Sequence, residues 1–544
     1  MRNFIYTKAL LCAIIFAFST LLTNAAENRY TTKSKPRLAV VITINGLQNY
    51  QLESFIPSMD KGGFKRIVSE GQYTSMAQCT YMPSDYTADY ASLMSGSTPR
   101  YHGIVSNKFY SLLDDDIISC IADARYSGIN SNANVSARLM QATTIADQIK
   151  THSPKSKVYS IALSPESAIM LGGHLADGAI WLDDKTGKLA TTTYYNNGLP
   201  KWANKINNDS SIVNFAKQSW YPLFDINKYE FDPVSSSFWE DLSIDKLIST
   251  SPIFDKVRGN TIAAKIQYLK ESPFVNDIIK ELSIRAIQDE KLGTDNAPDL
   301  LCIEFNANTK YNSTPFCAEN EDLFIRLDRN IKAILDIIDV SVGIENAVIV
   351  VTAPNYNNVI EDEAINKLLN QGTFNSSRAM ALLNSYLMAI YGQGRWVTGY
   401  YNKNINLNKQ LIEDNQIKLS EIEDYVAQFM LEFSGVHSAI SAYQIQTAAS
   451  LPNDYPSRLR NSHYKNRSGD VSFTLLPGWY EEEKDKTINT STLIQPILPI
   501  AIIGNEIEPQ SQQMMYEDIC PTLCYLLNIP LPNACIGQII PFNR

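Results

Sequence analysis

Residues 81–110 read YMPSDYTADYASLMSGSTPRYHGIVSNKFY. Met82-Pro83-Ser84 supplies a turn, Ala88 to Met94 has helical character, and Ser95-Gly96-Ser97-Thr98-Pro99 stops the helix, because small residues followed by proline do not extend it. A loop that runs straight into a helix in this way presents one side chain at the helix start. Working outward, Arg37 to Ile44 (RLAVVITI) is a continuous apolar, β-branched run, as a strand buried on both faces requires. Phe55 to Glu70 reads as a helix ending at Gly71. Lys157 to Leu163 is a second strand, and Ala168 to Leu182 leads to a third. Asp299 to Phe305 (DLLCIEF) and Ala347 to Thr352 (AVIVVT) are further core strands, with apolar residues at helical spacing over Asp322 to Val340 between them. Alternation of buried strands and helices predicts an α/β layered fold with a mostly parallel sheet.

The first residues read as an address. Arg2 and Lys8 precede an apolar run, Ala9 to Leu22, and Thr23-Asn24-Ala25 offers a small-residue cleavage site, so residues 1–25 are expected to be a secretory signal peptide. No later stretch approaches the roughly 18 continuous apolar residues of a spanning helix. The 544 residues, 44% hydrophobic and 19% charged, suit one large core with insertions or two to three domains. A net charge of −10 excludes a nucleic-acid partner or an anionic membrane surface. Five histidines are a thin supply for a multi-metal centre. Beyond the signal lie Cys79, Cys120, Cys302, Cys317, Cys520, Cys524 and Cys535. An odd number leaves at least one thiol free, and pairings such as Cys302 with Cys317 or Cys79 with Cys120 stay open.

The opening stretch resembles the alkaline phosphatase superfamily, in its secreted phosphodiesterase and phosphate-monoesterase branch. Pro83, Gly96, Pro99, His102, Gly103 and Ile104 keep the frame of that pattern. Arg467-Ser468-Gly469-Asp470-Val471 with Pro477-Gly478, the segment Asp518 to Leu523, and Pro532 to Gly537 resemble its closing blocks. The resemblance implies an α/β/α core with cap insertions, divided here as 37–200, 274–359 and 466–544 for the core, and 201–273 and 360–465 for the caps. It also implies a threonine nucleophile and two zinc ions about 4 Å apart, clamping an in-line displacement.

Position by position, the chemistry departs from that pattern. Tyr86 stands at the nucleophile position, with Thr87 beside it. The six metal-ligand positions carry Asn45, Thr309, Ser313, Pro354, Asn355 and Ile497, none of them a carboxylate or imidazole. Ser164 and Glu166 occupy positions that resemble the branch's phosphate-gripping lysine and arginine, whereas Asn107 keeps the spacing of its phosphate-contacting asparagine. Asp85 and Asp89 read as solvated loop charges, and His102 and His174 as structural hydrogen-bonders. The expectation is a secreted pseudoenzyme without a cofactor, acting as a scaffold with a protein partner in the cell envelope, periplasmic or at the outer membrane. The basic cluster Arg458, Arg460, His463, Lys465 and Arg467 is either a dock for an acidic partner or an ordinary solvated loop. The alternatives are an active phosphodiesterase or phosphatase, or a small-ligand binder using the vacated cleft with Tyr86, Tyr90 and Asn107 as walls.

Overall fold

A computed structural model describes residues 35–542, apart from 83, 210, 217, 219, 235–260, 310, 312–313, 355–371, 450, 484–485, 490–496, 506 and 510. The expected signal peptide, Pro83, Ser313 and Asn355 therefore lie outside the described residues. In chain order, the strands used below are β1 (Leu38–Asn45), β2 (Gln72–Ala77), β3 (Gly128–Ile129), β4 (Val158–Ala162), β5 (Gly178–Leu182), β6 (Leu189–Thr192), β7 (Asp299–Asn306), β8 (Ala347–Thr352), β9 (Val397–Tyr401), β10 (Asn404–Leu407), β11 (Val436–Ser441), β12 (Val471–Leu475) and β13 (Leu498–Gly504).

Nine of them form one sheet in the order β2-β13-β8-β1-β7-β4-β5-β6-β3. The centre is parallel: β1 lies between β8 and β7, with Leu38 opposite Ala347 and Asn45 opposite Asn306. β13 runs antiparallel beside β8. The apolar runs are buried on both faces because side chains alternate across the sheet. Leu38, Val40, Ile42 and Ile44 join one core with the helices Phe274–Asp289 and Ala318–Ser341, while Ala39 and Val41 join the other with the helix Tyr86–Ser95. This is the expected α/β/α layering.

The expected helix from Phe55 to Glu70 is instead interrupted. A helix ends at Phe55, a short 3-10 turn covers Ile56–Ser58, and a new helix runs Phe64–Glu70. Pro57 and the Gly62-Gly63 pair account for the break, and a Cβ on Gly63 would stand 2.5 Å from the Asp328 carbonyl.

The second insertion carries its own four-stranded sheet, β9-β10-β12-β11, and its own core around Leu383, Trp396, Ile422 and Phe473. That sheet recruits Val471–Leu475, past the expected boundary at 465. The first insertion is tied to the helix Ala318–Ser341 by buried carboxylates. Asp322 accepts from the Trp220 indole (2.5 Å) and the Tyr229 hydroxyl (2.5 Å), and Glu321 accepts from Glu230 N–H (2.9 Å).

Candidate functional site

The parallel strands β1, β7 and β4 end on one edge of the sheet, where ligands of open α/β sheets gather. A cleft of about 490 Å³ opens there. Asn45 from the end of β1, Glu304 and Asn306 from β7, Ser164 after β4, and Tyr86 at the start of its helix line it. Lys270 and Glu271 reach it from the first insertion.

The helix Tyr86–Ser95 is held at both ends by local chemistry. Gly96 closes it in the left-handed region at φ 62°. Asp85 caps its start: one carboxylate oxygen accepts from Thr87 N–H (3.0 Å) and Ala88 N–H (3.2 Å), the other from Asn107 N–H (2.6 Å) and the Ser106 hydroxyl (2.6 Å). Burial pushes the Asp85 pKa up, against the pull of those four bonds. Asp89 is buried as well and accepts from the Tyr81 hydroxyl at 2.7 Å. Both aspartates are therefore structural and buried, not the solvated loop charges expected. The sequence shows only that they flank a helix start; folding Ser106 and Asn107 back against it removes the solvent.

Tyr86 lines the cleft, and burial first, then the Glu166 charge, drive its phenol pKa far up. Thr87 is wholly buried and does not line the cleft, so a one-residue shift brings no second hydroxyl to it. Ser164 lines the cleft beside Tyr86, its hydroxyl capping the helix Pro165–Gly172 through Ser167 N–H at 3.1 Å. Burial raises the Glu166 pKa.

Tyr90 and Asn107 are not cleft walls. Tyr90, one turn further along the same helix face as Tyr86 and 6.0 Å from it between ring centroids, is buried behind the cleft and donates to Glu304 at 2.8 Å. Asn107 is half-buried and accepts from the Tyr401 hydroxyl of the second insertion at 2.7 Å.

Of the four expected ligand positions among the described residues, Asn45 alone lines the cleft. Thr309 is buried and donates to the Asn320 side chain at 2.7 Å. Pro354 is buried, and Ile497 is 44% exposed just ahead of β13. His102 is buried: its Nδ1 accepts from Ile104 N–H (3.1 Å), which places the ring proton on Nε2 toward the Ser92 hydroxyl (2.9 Å). His174 bridges the Asp147 carboxylate (2.8 Å) and the Met140 carbonyl (3.1 Å). Burial alone would lower its pKa, but the Asp147 contact leaves it raised.

Four residues that the sequence reading did not single out, Glu304, Lys270, Asp184 and Glu271, shape the cleft. Glu304 accepts from Leu163 N–H (2.8 Å), the Tyr90 hydroxyl and the Ser167 hydroxyl (2.9 Å), and burial raises its pKa. A lone carboxylate inside the apolar run DLLCIEF was the available signal. Lys270 donates to the Leu163 carbonyl (2.6 Å) and pairs with Asp184 (2.5 Å). Three acidic side chains, Asp184, Glu271 and Glu304, thus face a single lysine on the cleft wall.

The basic cluster is neither of the expected things. Arg458 and His463 are buried, and Arg467 donates to the carbonyls of Gly103 (2.5 Å) and Leu139 (2.6 Å) while stacking on Phe109 and Tyr464. These side chains fasten the second insertion to the core. The seven cysteines from Cys79 to Cys535 are free, and no helix among the described residues is long and apolar enough to cross a membrane.

A large, mostly parallel sheet with a helix start at its carboxyl edge is an alkaline phosphatase-like α/β architecture. The sequence profile of the type I phosphodiesterase / nucleotide pyrophosphatase family matches residues 39–493, and the chain belongs to that family. It is similar to the alkaline phosphatase PafA of Elizabethkingia meningoseptica, at 26% identity over 93% of this chain and 94% of the relative. The alkaline phosphatase PhoV of Synechococcus elongatus is 25% identical over 94% of this chain and 93% of its own. The crystal structure of wild-type PafA superimposes with a TM-score of 0.79 over 93% of this chain and 98% of that one.

Those relatives overturn one expectation. Chains that align with this one over nearly their whole length include alkaline phosphatases, the class for which the resemblance implies two zinc ions, so the absence of a cofactor does not stand as a property of this chain. The donor chemistry, however, does not fit a two-zinc centre at the described positions. Asn45 offers a neutral amide, the Thr309 hydroxyl is engaged by Asn320, and Pro354 and Ile497 have no donor atom. Among the described residues, no group of three or more His, Cys, Asp or Glu side chains is placed to share an ion.

Proposed function

We propose that this chain is a binding member of the phosphodiesterase family, a secreted interaction protein of the cell envelope, and that Tyr86, Asn45, Thr309, Pro354, Ser164 and Glu166 mark the altered nucleophile, ligand and phosphate positions. One observation carries this reading: the Asp85 carboxylate occupies the amides at the start of the helix Tyr86–Ser95 and the Asn107 N–H. A helix start is where an incoming phosphate finds backbone donors and a favourable dipole. Here an internal anion satisfies them. Tyr86 is a poor nucleophile because its phenol is driven toward the neutral form, and the acidic cleft opposes a phosphate dianion. A cleft with amide, hydroxyl and carboxylate walls suits a neutral or cationic polar ligand, with the segments 201–273 and 360–465 as its caps.

A second reading, hydrolysis of phosphate esters, is favoured by the full-length similarity to alkaline phosphatases. Two measurements on the mature protein separate them: bound zinc by plasma mass spectrometry, and turnover of p-nitrophenyl phosphate and bis-p-nitrophenyl phosphate with and without added zinc. The binding reading expects turnover at the uncatalysed rate, and chemical crosslinking in envelope fractions that yields a reproducible partner. Chelator-sensitive turnover with about two zinc per chain establishes the hydrolase instead.

A further inference from the structure

A second cavity, of roughly 120 Å³, lies on the other side of the segment Ser84-Asp85-Tyr86 from the cleft, between the core and the second insertion. It is smaller than the roughly 300 Å³ at which organic-ligand pockets begin, which limits an occupant to a small ion and a few waters. Its walls include Met82 and Ser84 from the core, and Lys403, Ser462 and His463 from the insertion.

The chemistry of those walls is one-sided. Lys403 is 8% exposed, His463 7% and Arg458 7%. Arg458 packs against the wall residue Met82, its Nη2 3.3 Å from the sulfur. Among the described residues neither Lys403 nor Arg458 forms an ion pair, and His463 Nδ1, Arg458 Nε and the Ser84 hydroxyl are buried without a hydrogen-bond partner. Buried donors are normally satisfied, and buried charges are normally paired. Gln446 approaches His463 Nε2 at 3.5 Å, so an amide N–H donating there leaves the ring proton on the unpartnered Nδ1.

The backbone also commits Lys403 to this place. Asn402 and Lys403 form the two-residue turn between β9 and β10, both with positive φ, 46° and 61°. Such turns favour Asn-Gly; a lysine in the left-handed region is strained, and strain of this kind gathers at functional positions. Burial holds the Lys403 pKa down to about 8, while the Glu481 charge pulls the other way. Glu481 itself accepts from the Tyr400 hydroxyl at 2.5 Å.

We propose that this cavity binds a small tetrahedral oxyanion, inorganic phosphate or sulfate, held by Lys403 Nζ, His463 Nδ1 and the Ser84 hydroxyl with the Arg458 guanidinium close behind. These donors come from three separate segments of the chain that line one cavity, and a tetrahedral oxyanion offers an acceptor oxygen to each. The site is separate from the acidic cleft, whose charge opposes the same ligand.

The test uses the full mature chain. Thermal unfolding is followed against phosphate and sulfate, with chloride at matched ionic strength as the reference, since a ligand that binds only the native state raises the midpoint with the logarithm of its concentration. The wild type is expected to show a rise with phosphate or sulfate that becomes linear in the logarithm of concentration above the dissociation constant. Lys403→Met weakens the apparent affinity at least tenfold, Lys403→Arg retains it, and Lys270→Met in the cleft leaves it unchanged. Acetic anhydride labelling of Lys403 in the unaltered chain, read by peptide mass spectrometry, gives a measure that does not depend on the folding of a variant, and phosphate is expected to protect it. No rise over chloride and no protection overturn the site and leave the cleft reading standing. A rise lost in Lys270→Met but kept in Lys403→Met also overturns it, and places the anion in the cleft, against that reading as well.

Discussion

Replacing Asp85 tests whether its carboxylate is the internal anion that closes the helix start. In Asp85→Ala the helix Tyr86–Ser95 loses its cap, which costs about 1 kcal/mol. Asn107 N–H and the Ser106 hydroxyl lose an acceptor in the same step, and a buried donor left unmade costs roughly 1–3 kcal/mol. Relief of the buried charge, visible as the raised Asp85 pKa, offsets part of this, leaving about 3 kcal/mol. Asp85→Asn keeps an oxygen for Thr87 and Ala88 but turns an NH2 toward Asn107 and Ser106, for about half that cost. Hydrogen exchange of peptides covering 86–95 and 104–110 reads the change locally, at about 100-fold lost protection for the alanine variant, with urea denaturation as the global check. Protection within threefold of the wild type in both peptides refutes the capping role, and with it the main support for the binding reading.

Two further outcomes follow from buried titratable groups. Burial raises the Glu517 pKa from 4.5 to about 7, while its carboxylate accepts from Thr80 N–H (2.8 Å) and the Thr80 hydroxyl (2.6 Å). A folded-state pKa above the unfolded one means this contribution is fully present below pH 4.5 and is lost as pH rises through 7. Glu517→Gln keeps both acceptor contacts, so it flattens that decline and is more stable than the wild type at pH 8 by up to roughly 3 kcal/mol; equal stability at pH 8 contradicts it. His102 shows the opposite sign: burial, then Arg467, lower its pKa from 6.5 to about 3, so its contribution is present above pH 6.5 and is lost as pH falls toward 3. A histidine NMR titration in which His102 protonates near pH 6 refutes its neutral buried state.

The sequence by itself determined the layered fold. Continuous β-branched runs such as RLAVVITI have no polar face to turn outward, so they must be interior strands, and Gly96 and Pro99 fix where the helix after residue 85 stops. At the positions where the resemblance implies metal ligands it offers no carboxylate or imidazole, since side-chain identity does not depend on folding. The tertiary structure decided what the remaining polar groups do. Asp85 and Asp89 are charged residues in a loop-like stretch, and only the return of Ser106 and Asn107 against the helix start makes Asp85 a buried cap. Glu304 and Lys270 meet at the cleft from a strand and an insertion 34 residues apart. Arg458 and His463 read as a surface cluster in one dimension; packing of the second insertion beside Met82 and Ser84 removes their water, and it buries Lys403 with them.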